Sequence, residues 1–153
     1  MVDGKKYLKI PKSDEELDMQ AQITQRKGKT YLVNAFSLSM IEELLNQKGV
    51  VNMRFEKLGN LDVVRLFLGT DFVSAVGHQA TASALSKILG INIPANRVSI
   101  NMAENDMLIV FQLALGRLPP GKELTEEDII NAWQSGKAYF VLVYSPETVE
   151  PPK

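Results

Sequence analysis

The sequence predicts a single α/β domain in which helices flank a mixed β-sheet. Short runs rich in β-branched and aromatic residues alternate along the chain with amphipathic helical segments, which is typical of α/β folds. Two strand-like runs are separated only by the turn "AENDM", which predicts a hairpin. A hairpin adds an antiparallel pair to strands that helices connect, so the sheet should be mixed.

The composition argues against several classes of function. A net charge of −1 gives no broad electrostatic surface for duplex nucleic acid or an anionic membrane. The chain has no cysteine, which excludes thiolate zinc sites and a cysteine nucleophile, and its single histidine argues against a protein-only catalytic zinc site. No apolar run approaches the roughly 18 residues of a membrane span, and no signal peptide is evident. We therefore expect a cytoplasmic protein.

Three regions are distinguished along the chain. Residues 1–28 predict a polar extension, in which Ser13 and Glu16 have the spacing of a helix-capping box. Residues 29–145 contain the apolar segments and predict the domain itself. Residues 146–153, "PETVEPPK", predict a disordered tail.

The first half of the domain predicts two strands and two helices. The run "TYLVNAF" (30–36) predicts a strand that leads into a loop, and "SMIEELLNQKG" predicts a helix that ends at Gly49. "VVNMRFEKL" alternates apolar and polar residues, which predicts a half-buried strand with Phe55 facing inward. The apolar residues of "NLDVVRLFLG" fit neither the helical nor the strand period well, and we favour a helix from Asn60 to Gly69.

The second half predicts further strands around two helices. "DFVSAV" predicts a short buried strand, and apolar residues recur at helical spacing from His78 to Leu89, with Gly90 as a stop. "RVSINM" and "MLIVFQLAL" predict the two strands of the hairpin. Thr125 and Asp128 have capping-box spacing at the start of the second helix, and "KAYFVLVY" predicts the closing strand.

His78, the only histidine, follows a glycine where a predicted strand meets a predicted helix. The first backbone amides of a helix lack intrahelical partners and lie at the positive end of its dipole, so this position suits a phosphate. An imidazole there can protonate the leaving oxygen of a phosphate ester. The alternative is that His78 merely caps the helix, and the local sequence leaves both interpretations open.

Other polar residues are candidates for ligand binding, each with a structural alternative. Asn34, Ser37 and Ser39 follow a strand, where they either bind a base or phosphate or cap the next helix. Arg97 and Arg117 suit bidentate contact with phosphate, although arginines at strand ends and in loops are commonly solvated.

Gln112 interrupts the apolar run "LIVFQLAL", so it either faces a cavity or hydrogen-bonds a neighbour. No Walker loop, no G-x-G-x-x-G and no G-x-S-x-G motif occurs. The residues alone therefore predict an α/β domain with one candidate phosphate-facing histidine.

The chain resembles the viral anti-CRISPR ring nucleases in five segments that occur in the same order. These segments are "YLVNAFSLSM", "FVSAVGHQAT", "GINIPANRVSINM", "MLIVFQLALGRLPPGKELTEEDI" and "YFVLV". The resemblance covers roughly residues 30–144. That family degrades cyclic tetra-adenylate, the second messenger of type III CRISPR defence. The resemblance therefore implies a protein that acts on this ring in the cytoplasm, which is the host's cytoplasm if the protein is viral. The low net charge and the lack of a long apolar run predict that neither a membrane nor a duplex nucleic acid is a partner.

The resemblance also implies a homodimer with the ligand pocket at its two-fold interface, so that each subunit supplies half of the pocket. The family reaction needs no metal or other cofactor. A ribose 2′-hydroxyl attacks the adjacent phosphorus and the 5′-oxygen leaves, which gives linear di-adenylate with a 2′,3′-cyclic phosphate.

The resemblance assigns roles to particular residues. His78 matches the family's general acid, and Arg117 matches the arginine that stabilises charge on the scissile phosphate. The remaining matches are to residues that line the ligand pocket: Asn34, Ser37, Thr81, Arg97 and Gln112.

One position departs from the family pattern. The loop after the long strand reads "RLPPG", which places Pro120 where the family has a glutamate that helps to orient and charge the histidine. Its absence predicts slower cleavage, and a cyclic oligoadenylate-binding sponge with little turnover is the alternative function. A third hypothesis is an interaction protein that shares only the α/β scaffold, since a fold alone does not establish function.

Overall fold

The strands and helices alternate along the chain in the computed structural model, which describes residues 28–116 and 120–146. The strands are β1 (Thr30–Val33), β2 (Arg54–Leu58), β3 (Val73–Ser74), β4 (Met107–Leu113) and β5 (Ala138–Tyr144). A short 3-10 helix (Leu38–Ile41) precedes α1 (Glu42–Lys48), and the later helices are α2 (Leu61–Leu68), α3 (Gln79–Leu89) and α4 (Glu126–Gln134). The predicted α/β architecture is confirmed.

The sheet is mixed, as predicted, with the strand order β2-β5-β4-β1-β3. β1 pairs in parallel with β3 on one side and with β4 on the other, whereas β5 is antiparallel to both β4 and β2. Parallel strands end at the same side of a sheet, so the carboxyl ends of β3, β1 and β4 lie next to one another. We call this side of the sheet the carboxyl edge.

The two faces of the sheet are covered unequally. Side chains alternate along each strand, so neighbouring residues of β4 enter different cores. One core lies against α2, α3 and α4 and includes Leu32, Val64, Leu85, Ile109, Phe111, Ile129 and Phe140. The other lies against the 3-10 helix and α1 and includes Val33, Ile41, Leu44, Leu108, Val110 and Val143. One short helix covers less of a sheet than three, which leaves part of the second face open.

The predicted hairpin between "RVSINM" and "MLIVFQLAL" is wrong. Residues 97–102 form no strand, because both sides of β4 are already occupied by β1 and β5. The backbone N–H of Met102 instead donates to the carbonyl of Met40 at 2.8 Å, and Ile100 and Met102 are buried in the second core. Ile100 and Met102 thus serve packing rather than strand pairing, whereas Val98 of the same segment is 49% exposed.

The strand predicted from "VVNMRFEKL" is shorter and less buried than expected. It begins at Arg54, and Phe55 is 54% exposed rather than turned into the core. β2 is an edge strand, and α1 does not reach across this part of the sheet. Phe55 contacts the ring of Phe36 edge-on instead, with 5.4 Å between the ring centroids.

The predicted helix boundaries are confirmed by their capping contacts. The Asn60 side chain accepts a hydrogen bond from the backbone N–H of Asp62 at 2.7 Å, and Gly90 ends α3 at a φ of 70°. Thr125 and Asp128 form the predicted capping box, each side chain accepting from the other's backbone N–H. The hydrogen bond that the Asp128 carboxylate accepts from the backbone N–H of Thr125 is the main cause of the lowered pKa of Asp128.

Some predictions fall on parts of the chain that the structure does not describe. The capping box of Ser13 and Glu16, nearly all of the predicted extension, and residues 147–153 of the predicted tail lie outside the described residues, as does Arg117. Among the helices that are described, none is long and apolar enough to cross a membrane.

Candidate functional site

The carboxyl edge carries most of the polar residues that the sequence singles out. Val33 of β1 pairs with Val110 of β4, and Leu32 pairs with Ser74 of β3. The chain leaves β1 through Asn34, leaves β3 toward His78, and reaches Gln112 near the end of β4. Because neighbouring strands are about 4.8 Å apart, the axes of β3 and β4, on either side of β1, are about 10 Å apart.

The loop after β1 presents polar side chains at this edge. The carbonyl oxygen of Ser37 accepts from the backbone N–H of Met40 at 3.1 Å, but its hydroxyl makes no capping bond to the 3-10 helix. The hydroxyl oxygens of Ser37 and Ser39 lie 2.8 Å apart, and both residues are exposed. The capping alternative for Ser37 is therefore wrong, and its hydroxyl is accessible to a ligand.

His78 occupies the N-cap position of α3 without using its side chain as the cap. Its carbonyl oxygen accepts from the backbone N–H of Ala82 at 3.0 Å, whereas the imidazole makes no capping hydrogen bond. The residue is exposed. The interpretation of His78 as a side-chain cap is thus wrong, and the imidazole stands beside the unpaired first amides of an eleven-residue helix.

Arg97 lies directly beside this position. A Cβ atom built on Gly77 would lie 3.6 Å from Nε and 3.7 Å from Cγ of Arg97, so the arginine side chain runs along the backbone that precedes His78. The side chain of Arg97 therefore packs on the residue that precedes His78, the N-cap residue of α3. A guanidinium group, an imidazole and a helix N-terminus all interact favourably with a phosphate group.

Gln112 lies at the rim of a cavity on the less covered face of the sheet. The cavity has a volume of about 290 Å³ and is lined by Phe36, Phe55, Val110, Gln112, Tyr139, Val141 and Val143. The Gln112 side-chain amide also donates to the carbonyl of Leu113 at 3.0 Å, so both predicted alternatives for this residue apply.

The cavity combines aromatic walls with a few polar groups. Tyr139 pairs with Gln112 across β4 and β5, and the ammonium group of Lys57 lies 4.7 Å from the centroid of the Tyr139 ring. Aromatic rings stack on nucleobases, and an amide can hydrogen-bond a base edge. The lining suits a nucleotide better than a purely apolar ligand.

Of two further predicted site residues, one is less accessible than expected and the other lies outside the described residues. Thr81 lies in the first turn of α3 and is only 7% exposed. Arg117 lies outside the described residues, while Pro120 is exposed in a turn that precedes α4.

The one buried acidic residue in the described part of the chain lies away from this edge. The buried carboxylate of Asp106 accepts from the backbone N–H groups of Lys29 and Ala103 at 2.8 and 2.9 Å, near the start of β1 and away from the carboxyl edge. Burial, and then the charge of Asp106, raise the pKa of Tyr31 in the same region. Within residues 28–116 and 120–146, no three histidine or acidic residues gather closely enough to hold a metal ion.

Sequence reasoning missed two features of the site. The contact between Arg97 and Gly77 joins residues 20 positions apart, and only the "NR" dipeptide within "ANRVSI" hinted at it. The aromatic cavity depends on β5 pairing with both β4 and β2, which places Tyr139 and Phe55 on the face of Gln112. Alternation within each strand indicated which residues share a face, but not which strands are neighbours.

Comparison with known proteins decides the family. A family model described as STIV B116-like matches residues 30–137. The chain belongs to the STIV B116-like family. This is the family of the viral anti-CRISPR ring nucleases, so the family assigned from the five sequence segments is confirmed.

Relatives of this B116-like chain come from archaeal viruses. It is 25% identical over 118 residues to the uncharacterized protein ORF116 of Acidianus filamentous virus 1, covering 76% of this chain and 97% of the relative. It is 42% identical over 76 residues to ORF117 of Acidianus two-tailed virus, covering 49% of this chain and 59% of the relative. Neither name states an activity.

A solved structure supports the same assignment. The fold is similar to that of B116 of Sulfolobus turreted icosahedral virus, with a TM-score of 0.56 and 29% sequence identity. The match covers 76% of this chain and 99% of the viral protein. The domain described above therefore corresponds to a whole B116-like protein.

The His78→Ala variant of this B116-like domain should retain its stability. The imidazole is exposed and makes no capping bond, so we expect the free energy of unfolding in urea to change by less than about 0.5 kcal/mol. The control is Leu85→Ala, which empties a fully buried position and should cost about 2–5 kcal/mol. A large loss of stability in His78→Ala would show that His78 is a structural residue.

Proposed function

We propose that this protein binds cyclic tetra-adenylate and cleaves it as a metal-independent ring nuclease. The observation that carries the proposal is the exposed imidazole of His78, which lies at the start of α3 and makes no capping hydrogen bond. The Arg97 side chain packs along the neighbouring Gly77. Membership of the ring-nuclease family supports the choice of ligand.

The reaction requires a phosphate held in line and an acid for its leaving group. In the proposed mechanism the ribose 2′-hydroxyl attacks the adjacent phosphorus, the bond from phosphorus to the 5′-oxygen breaks, and a 2′,3′-cyclic phosphate forms. His78 donates a proton to the departing 5′-oxygen. The first amides of α3, Arg97 and Arg117 stabilise the charge that develops on the phosphorane oxygens. Two such cleavages convert the ring into linear di-adenylate.

The other residues of the site hold the ring. Asn34 and Ser37 offer an amide and a hydroxyl at the end of β1, and Gln112 offers an amide at the aromatic cavity. Thr81, although buried in the isolated subunit, lies in the helix turn that follows His78. We assign these four residues to ligand binding, with the cavity around Tyr139 receiving an adenine base.

The complete pocket requires a second copy of the chain. The cavity of about 290 Å³ is at the lower limit of ordinary ligand pockets, which start at about 300 Å³. Large apolar residues near it are exposed, notably Phe55 and also Leu38 at 69%. In the proposed homodimer the partner covers these residues, and a ring with two-fold symmetry lies across the axis.

A sponge is the second candidate function. Pro120 is exposed in the turn before α4, where the family places a glutamate, and it can neither orient nor charge an imidazole. The same pocket would then bind the ring and release little product. The two candidates differ in turnover and not in affinity.

A single-turnover assay distinguishes these functions. Protein in excess over labelled cyclic tetra-adenylate, with EDTA present, should produce di-adenylate. His78→Ala should lower the cleavage rate by about 100-fold or more, because general acid catalysis is typically worth at least that factor. Asn131→Ala, a truncation of an exposed residue on α4, is the control and should cleave at the wild-type rate.

Each outcome of this assay has a clear meaning. Intact ring that remains bound to the wild-type protein favours the sponge. Unbound and uncleaved ring contradicts both candidate functions, and undiminished cleavage by His78→Ala removes the proposed acid.

The Pro120→Glu variant should cleave faster than the wild type. A carboxylate near an imidazole favours its protonated form, which is the form that acts as an acid. The measurement is the single-turnover rate under the same conditions, with Pro120→Gln as the uncharged control. Equal rates for wild type, glutamate and glutamine would contradict the assigned role of this position.

A further inference from the structure

We propose that Asn96 is a positioning residue that holds Arg97 against Gly77, the residue that precedes His78. Its importance for catalysis rests on the function proposed above, but the positioning itself is a property of the free protein. His78 and Arg97 lie on two different stretches of chain, and hydrogen bonds of Asn96 connect these two stretches.

Asn96 ties the segment that carries Arg97 to the end of β3. Its side-chain amide donates to the carbonyl of Ser74 at 2.7 Å, and its backbone N–H donates to the carbonyl of Val76 at 2.8 Å. The Ser74 hydroxyl returns a bond of 2.6 Å to the carbonyl of Pro94, and Ser74 is 5% exposed. Three bonds thus connect residues 94–96 to the strand that runs into Gly77 and His78.

The preceding part of the same segment is fastened to α3. The backbone N–H of Ile93 donates to the hydroxyl of Ser86 at 2.9 Å, and Ile93 is buried in the core. Residues 93–96 are therefore attached both to β3 and to α3, the two elements that meet at His78. Any movement of this segment changes the position of Arg97 relative to the imidazole.

The Arg97 side chain has no strong partner of its own. Within the described part of the chain it forms no salt bridge or hydrogen bond, and its contact with Gly77 is an ordinary van der Waals contact. A long side chain held so weakly has several rotamers available, and ordering it on binding costs free energy. The positions that its guanidinium group can reach therefore depend on where its backbone is held, and the hydrogen bonds of Asn96 fix the residue directly before it.

Removing the Asn96 amide should release Arg97 without removing it. The carbonyl of Ser74 loses its donor, and the backbone at Arg97 gains freedom. The phosphate contact of Arg97 should then weaken. The affinity for the ring should fall roughly tenfold, which is about the contribution of one charge-assisted hydrogen bond.

A double-mutant cycle tests this coupling. The four proteins are the wild type, Asn96→Ala, Arg97→Ala and the double variant, and Asn92→Ala, an exposed asparagine of the same loop, is the control. The first readout needs no ligand: His78 is the only histidine, so its imidazole proton NMR signals are unambiguous. We expect Asn96→Ala to shift these signals in the wild-type background and hardly at all in the Arg97→Ala background. Asn92→Ala should leave them unchanged.

The second readout is the affinity for cyclic tetra-adenylate. Asn96→Ala should weaken binding in the wild-type background and have no further effect once Arg97 is alanine. Equal effects of Asn96→Ala in both backgrounds, in either readout, would overturn the proposal, because they would show that Asn96 acts through β3 alone. Unshifted imidazole signals in Asn96→Ala would overturn it too.

Two further outcomes remain interpretable. If the wild type does not bind the ring, the proposed function fails while the NMR cycle still decides the positioning role. If Asn96→Ala no longer unfolds cooperatively, Asn96→Asp keeps the size of the side chain and replaces its donor with an acceptor, and the same cycle is run with it.

Discussion

The site depends on the parallel pairing of β1 with both β3 and β4. This pairing brings three strand ends to one edge, and each strand then leads into a different part of the site: the loop with Asn34 and Ser37, the junction at His78, and Gln112. Ligands of open α/β sheets generally bind outside such carboxyl ends. β5, antiparallel to β4, adds the aromatic cavity beside the same edge.

The elements with strong local signals were predicted well. α3 and α4 have helical apolar spacing together with a capping box or a terminal glycine, and β5 is a continuous apolar run, so local physics determines them. The strand prediction for residues 97–102 is wrong because the alternation of apolar residues there reflects packing into the core and not pairing with a neighbouring strand. The hairpin is excluded because β4 already pairs with β1 on one side and with β5 on the other, and a local stretch of sequence does not show this pairing.

The sequence proposes candidate site residues but does not predict how they are arranged. Local sequence left His78 open between a cap and a chemical group, and the unbonded imidazole excludes the cap. Arg97 packs on Gly77 next to hydrogen bonds of Asn96 and Ser74 that span about twenty residues, and no periodicity encodes such contacts. An arginine left without an ion pair beside a helix N-terminus is typical of a site arranged for a ligand rather than for the stability of the fold.

In the proposed dimer, two copies of this edge enclose one cyclic oligoadenylate. The most direct test is titration calorimetry of the His78→Ala variant with cyclic tetra-adenylate, since this variant should bind the ring without consuming it. We expect one ring for every two chains. One ring per chain would contradict the shared pocket, and the absence of binding would contradict the assignment of this edge as the ligand site.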